Sequence, residues 1–233
     1  LGRRFVTAKI ANQRTLVRRN HPDASRDVLV GLEQMRQAAA GASSLEELLG
    51  YEGNAARLYF SAFNGMLRPP SGTDPSMEMN FEGRRRRPPT DPINALLSFT
   101  YALLTKDWTI TVASVGFDPF LGFFHQSRYG RPSLALDLME EFRPLIADSV
   151  VRQVVNGGIV GPDDFIRSSL GVAIKPAARK KLIQAYERRM DQLVTHPVFD
   201  YRISYRRVLE VQARLLGRFL LGEIPKYPSF LTR

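Results

Sequence analysis

Leu45, Leu48, Leu49, Ala55, Tyr59, Phe60 and Phe63 recur at the three-and-four spacing of an α-helix, and a single carboxylate, Glu52, falls in the gap of that stripe. This period demands a helix, because a strand would turn every second residue to the opposite face. It also puts Glu52 on the side that must pack, in the slot between Leu49 and Ala56. A carboxylate on a packed face is strongly unfavourable unless a cation satisfies it. A metal ion, an arginine or a lysine would serve.

The same period runs along most of the chain. Arg4 to Asn20 reads as a basic helix, broken at His21–Pro22–Asp23. Asp23 is placed to cap a second helix, Ala24 to Ala40, which Gly41 stops. Ser43 or Ser44 caps the helix that carries Glu52, with Glu46 and Glu47 in its first turn, and this helix runs to about Met66. Arg68 to Pro92 is a loop rich in Pro, Gly and Ser that contains the arginine run Arg84 to Arg87. Asp91–Pro92 opens an apolar helix, Ile93 to about Leu104, with proline in the first turn, where it is tolerated. Thr109 to Val115 reads as further helix or a short extended piece.

Phe117 to Pro132 is a second loop, rich in aromatics and glycine, and it carries His125. Ser133 is placed to cap a helix from Leu134 to about Asn156, ended by Gly157–Gly158. A short segment opens at Gly161–Pro162, a basic helix runs from Pro176 to about Thr195, and an amphipathic one from Tyr201 to Gly222. There is no internal repeat and no linker. The expected fold is a single mostly α-helical domain over residues 1–233.

Composition narrows the chemistry. No apolar run approaches the roughly 20 residues that span a bilayer. The chain has no cysteine, which excludes disulfides, cysteine-held zinc, iron–sulfur clusters and a thiol nucleophile within it, and fits a reducing cytoplasm. The N-terminal pattern reads as a basic helix rather than a signal peptide, and the missing initiator Met is what a fragment or a processed piece is expected to show. A formal net charge of +10 favours a polyanionic partner, nucleic acid above all.

Three further residues carry candidate chemistry. Asp137 and Glu140, three apart, share a helix face, and Pro144 falls where it removes the N–H that would pair with the Glu140 carbonyl, so the helix should bend there. His125, in the preceding loop, can reach over the first turns. Glu52, His125 and Glu140 together would supply one imidazole nitrogen and two carboxylates, a donor set that suits Mg²⁺ or Mn²⁺ better than zinc. Such an ion can polarise a phosphoryl oxygen. Each residue also has a plainer reading: Asp137 and Glu140 as a solvated face, His125 as a structural loop residue, and Glu52 as an ion pair with Arg57 or with a residue of another helix. Arg84, Arg85, Arg86 and Arg87, and the trio Arg179, Lys180 and Lys181, are candidate phosphate contacts. A metal-dependent phosphodiester enzyme and a non-catalytic, basic helical nucleic-acid-binding scaffold both remain open at this level.

Three segments carry a resemblance: YEGNAARLYF around Glu52, RRRRPPTDPINALLSFTYALL, and GFDPFLGFFHQSRYGRPSLALDLMEEFRP. In this order they are similar to the CRISPR-associated adaptation integrase, the first Cas protein, and the similarity covers nearly the whole chain. The resemblance implies a helical catalytic domain without the family's N-terminal β-rich domain. It implies that Glu52, His125 and Glu140 bind one divalent metal, Mg²⁺ or Mn²⁺, with Asp137 in support; Arg57, in the first of these segments, is a further candidate nucleic-acid contact. The implied reaction inserts foreign DNA fragments into a CRISPR array by transesterification. The implied partners are DNA, a second copy of the protein, a small ferredoxin-like adaptation subunit and, in some systems, an iron–sulfur nuclease, sometimes fused upstream. The implied location is the cytoplasm.

Overall fold

A computed structural model describes residues 1–72, 78–85 and 88–232. Eight α-helices carry the described fold: α1 (Gly2–Asn20), α2 (Arg26–Gly41), α3 (Leu45–Phe63), α4 (Pro92–Val115), α5 (Ser133–Met139), α6 (Ser149–Asn156), α7 (Pro176–Asp191) and α8 (Tyr205–Leu220). Two small antiparallel hairpins, β1 (Phe165–Ser168) with β2 (Gly171–Ile174) and β3 (Leu193–Thr195) with β4 (Arg202–Ser204), complete it. The mostly α expectation therefore holds. Among the described residues, no helix is long and apolar enough to cross a membrane.

α4 is the central element. Its buried residues run from Pro92 through Trp108 to Val112, and α5, α6, α8, β2 and the segment before α6 pack around it. A helix covered from several sides needs apolar residues on more than one face, which is why its sequence is almost continuously hydrophobic. Asp91 caps it by accepting from the Asn94 N–H at 2.8 Å, and Gly116 ends it at φ 101°, a conformation that favours glycine. The two pieces read between Ile93 and Val115 are one helix of 24 residues. Thr105, Thr109 and Thr111 each donate their hydroxyl to the carbonyl four residues back, so these β-branched residues satisfy their polar groups without leaving the helix.

α1, α2 and α3 pack on one another, with α1 touching both partners and also the segment between α5 and α6. Ser44 caps α3 by accepting from the Glu47 N–H at 3.1 Å. Asp23 does not cap α2; Ser25 does, accepting from Val28 N–H at 3.2 Å, because the helix starts two residues later than its pattern suggested.

The helix read from Leu134 to Asn156 is interrupted. α5 passes into a 3₁₀ turn, Glu140–Phe142, and then into a π-helical segment, Arg143–Asp148, before α6. Pro144 is the physical cause: it lacks the N–H that would close the α-turn. Within that segment the Ser149 hydroxyl donates to the Pro144 carbonyl at 2.8 Å. Ser133 is not a cap but the first helical residue, and its hydroxyl donates to the Gln126 carbonyl at 3.1 Å. The basic helix also ends early, at Asp191, and the chain then forms β3. Gly171 sits at φ 113°, and a Cβ there would lie 2.5 Å from the Pro89 carbonyl oxygen, so this hairpin can press against the loop ahead of α4 only with glycine.

Candidate metal centre

Glu52 meets a lysine. Lys9, on α1, pairs its ammonium with Glu52 Oε1 and stands 2.7 Å from Glu140 Oε2. Helix packing produces the meeting, since α1 touches both α3 and the 3₁₀ turn that Glu140 opens. The Glu140 side chain is only 3% exposed, and on its other side Arg143 approaches Oε1 at 3.0 Å. The change of winding after α5 keeps Glu140 and Arg143 paired, three residues apart, at the start of the π-helical segment. Arg143 also lies over the Tyr101 ring, 4.8 Å from its centroid.

Burial alone would raise the Glu140 carboxyl, but Arg143, Lys9 and His125 bring it down to about 2. Burial would likewise lower the Lys9 ammonium, yet Glu140 and Glu52 outweigh it and the group is raised. Both groups are therefore charged at neutral pH. Beneath them, Tyr101 and Tyr59 donate to Asp148 at 2.6 and 2.7 Å, and burial pushes that carboxyl up to about 6.

His125 and Asp137 form one unit. Asp137 is fully buried. Its Oδ2 accepts from the Phe123 N–H at 2.5 Å and from the Phe124 N–H at 2.9 Å. Its Oδ1 accepts from the His125 N–H at 2.8 Å and meets His125 Nδ1 at 2.7 Å. Nδ1 thus donates toward the carboxylate, and Nε2 lies 3.8 Å from Glu140 Oε1. Asp137 has no oxygen left for a metal; it shapes the loop and orients the imidazole. Gly122 makes the close approach possible, because a Cβ there would lie 2.7 Å from Ser133 Cβ.

The donor set fits a hard divalent cation: two carboxylates, an imidazole nitrogen whose ring is held at its other nitrogen by Asp137, and no thiolate. Among the described residues, however, no three His, Cys, Asp or Glu side chains are arranged as they stand to hold a metal ion together. The Lys9 ammonium lies between the oxygens of Glu52 and Glu140. Glu52, His125 and Glu140 thus gather in one neighbourhood, as the sequence led us to expect, around a cation the sequence reading had not named. Lys9 and Arg143 are the residues that reading missed. Lys9 left a signal: with Asn12 and Gln13 it interrupts the buried face of α1 otherwise made by Phe5, Val6, Ile10, Leu16 and Val17.

The basic candidates lie apart from one another in character. Arg57 is exposed on α3. Arg84 turns inward, donating to Asn94 Oδ1 at 2.7 Å and to Ser98 Oγ at 3.0 Å, and lies 5.4 Å from the Tyr101 ring centroid. Arg85 is exposed, while Arg86 and Arg87 lie outside the described residues. On α7, Arg179, Lys180 and Lys181 are exposed; Arg179 donates to the Ile174 carbonyl at 2.8 Å, and Lys181 stands 3.7 Å from Asp164.

Comparison with known proteins gives this arrangement its class. The family model described as CRISPR associated protein Cas1 matches residues 1–188, and the chain belongs to that family. It is 54% identical to a CRISPR-associated exonuclease Cas4/endonuclease Cas1 fusion of Geobacter sulfurreducens, over its whole length and 42% of that protein. The chain thus spans less than half of this curated relative. It is also similar to a casposase bound to integration product, with a TM-score of 0.82 and 25% identity over 97% of this chain and 61% of that one. A Cas6-RT-Cas1–Cas2 complex matches with a TM-score of 0.80 and 28% identity, over 100% of this chain and 24% of the other.

Proposed function

We propose that this domain is the catalytic part of a metal-dependent DNA integrase and endonuclease of CRISPR adaptation, acting in the cytoplasm to join foreign DNA fragments to a CRISPR array. The observation that carries this reading is the run of contacts from Glu52 through Lys9 and Glu140 to His125 in a chain of the Cas1 family. The names of the relatives support it: an endonuclease in one case, and a casposase with its integration product in another.

The reaction is a transesterification. The 3′-hydroxyl of an incoming strand attacks a phosphorus of the target, a new P–O bond forms, and the target's own 3′-oxygen leaves with the bridging electron pair. The proton lost by the attacking hydroxyl is balanced by one gained, through solvent, at the leaving oxygen. Glu52, His125 and Glu140 would hold Mg²⁺ or Mn²⁺, which stabilises charge on the scissile phosphate and on the leaving oxygen. Asp137 keeps His125 in the tautomer whose Nε2 is a ligand. Arg143 holds Glu140 from behind, and the Tyr59–Tyr101–Asp148 cluster supports that floor. Phe120, Phe123 and Tyr129 are exposed in the loop around His125 and offer faces for unstacked bases. Exposed Arg57, Arg85, Arg179, Lys180 and Lys181 would track phosphates.

Partners follow from the same reading. The Cas1–Cas2 complex and the Cas4/Cas1 fusion support a small adaptation subunit and a nuclease partner, alongside a second copy of the protein. The test is strand transfer of a branched DNA substrate by the complete protein with its partner, titrated with Mg²⁺ and Mn²⁺. Glu52→Ala, His125→Ala and Glu140→Ala should each abolish transfer while circular dichroism stays native. Wild-type integration by His125→Ala would sink the assignment. A second reading, a non-catalytic scaffold, is favoured by the Lys9–Glu52 pair, which alone suffices to explain a carboxylate on a packed face. It requires that chelation leave every activity unchanged.

A further inference from the structure

The buried ammonium at the centre of the site has a role of its own. Lys9 is 7% exposed at its side chain, comes from a different helix than either carboxylate, and engages one oxygen of each. A divalent ion held by Glu52 and Glu140 would compete with the ammonium for these carboxylates. An ammonium and a divalent ion cannot share them, because two positive charges within a few ångströms in a poorly solvated site repel strongly. The two counter-cations of Glu140 also differ in mobility. Arg143 is a planar fork held between Glu140 and the Tyr101 face, whereas Lys9 is a point charge on a flexible four-carbon stem.

Building on the metal-dependent reading above, we propose that Lys9 is a resident counter-cation, one that holds Glu52 and Glu140 together in the metal-free protein and must be displaced from their oxygens when a divalent ion binds. Lys9 is a positioning residue in this scheme. It prevents two neighbouring carboxylates from repelling each other, and it weakens the site for metal by the work of moving it.

The experiment is Mn²⁺ binding, followed by calorimetry and by the electron paramagnetic resonance of free Mn²⁺, on the full-length wild type, Lys9→Met, Lys9→Gln and His125→Ala. Both Lys9 variants should bind Mn²⁺ at least about tenfold more tightly than wild type, because a neighbouring positive charge is gone. Their metal-free melting temperatures should fall, and Mn²⁺ should raise them by more than it raises the wild type. Lys9→Gln keeps a hydrogen-bond donor, so it guards against a folding failure of Lys9→Met; restoration of an unfolded Lys9→Met by Mn²⁺ would itself support the proposal. Equal or weaker binding by both variants, with wild-type binding intact and lost in His125→Ala, would overturn this inference and leave the metal site standing. Absence of Mn²⁺ binding in every protein would overturn both.

Discussion

Asp137 is the residue whose removal reads the site most directly. Its carboxylate accepts three backbone N–H groups in succession, from Phe123, Phe124 and His125, and pairs with the His125 ring. In Asp137→Asn one oxygen becomes an NH₂ group. That group either faces the Phe123 and Phe124 N–H donors or faces those of His125, so two of the four contacts become donor against donor. Hydrogen bonds to a charged acceptor contribute about 1.5–3 kcal/mol each, and leaving buried donors unpaired adds to the loss. A destabilisation of about 3–5 kcal/mol follows, which for a domain of this size corresponds to roughly 10 °C in melting temperature. Urea unfolding measures the first quantity. The second consequence is local: without a carboxylate at Nδ1, the imidazole loses its preference for the Nδ1–H tautomer. Nitrogen-15 NMR of the histidine ring reads that tautomer in the metal-free protein. A variant within about 1 kcal/mol of wild type, with His125 still protonated at Nδ1, would refute the reasoning.

Two further outcomes are expected. Burial pushes the Glu141 carboxyl up to about 8, although the Phe230 N–H donates to it at 2.8 Å, so the group is neutral in the native state below that pH. A carboxyl whose folded value is raised contributes stability that is full below its unfolded value, near 4.5, and is lost as pH rises through about 8. Glu141→Gln should therefore flatten the decline of stability across that window, measured by urea unfolding at several pH values; an unchanged slope contradicts it. Replacing Arg179, Lys180 and Lys181 with Gln should weaken DNA binding evenly across sequences and lower its salt dependence, with each lost phosphate contact reducing the slope of log K against log salt by about 0.9. An unchanged slope would make these residues a solvated surface.

The helical architecture was readable because period and punctuation agreed. Ser44, one of the two serines expected to cap α3, does so, and Asp91, expected with Pro92 to open α4, caps it, while Gly116 ends that helix. The two hairpins were not readable: strands of three or four residues are too short to display alternation, and β1–β2 depends on Gly171 pressing against a distant proline. The interruption at Pro144 was foreseeable as a bend, but not its form as a π-helical segment, in which the Ser149 hydroxyl bonds the Pro144 carbonyl. At the site, Glu52 announced itself as a charge that needed a partner. Which cation answers it depends on how α1 docks on α3, a contact separated by 43 residues that local pattern does not carry. The buried Asp137 was expected to support the site; what the structure shows is that it holds the His125 loop through backbone N–H groups that no side-chain spacing reveals.

The over-wide turn from Arg143 to Asp148 also has a bearing on how such a chain can change over generations. A π-helical turn accommodates one residue more than an α-turn, so this segment behaves as an inserted residue absorbed without breaking the helix. Deleting one residue there would let the helix rewind, turning everything before it by about 100° against everything after. Glu140 lies before the turn and α6 after it. The length of this short stretch therefore acts as a phase setting between a carboxylate and the core that orients it, so substitutions should accumulate here far more readily than insertions or deletions.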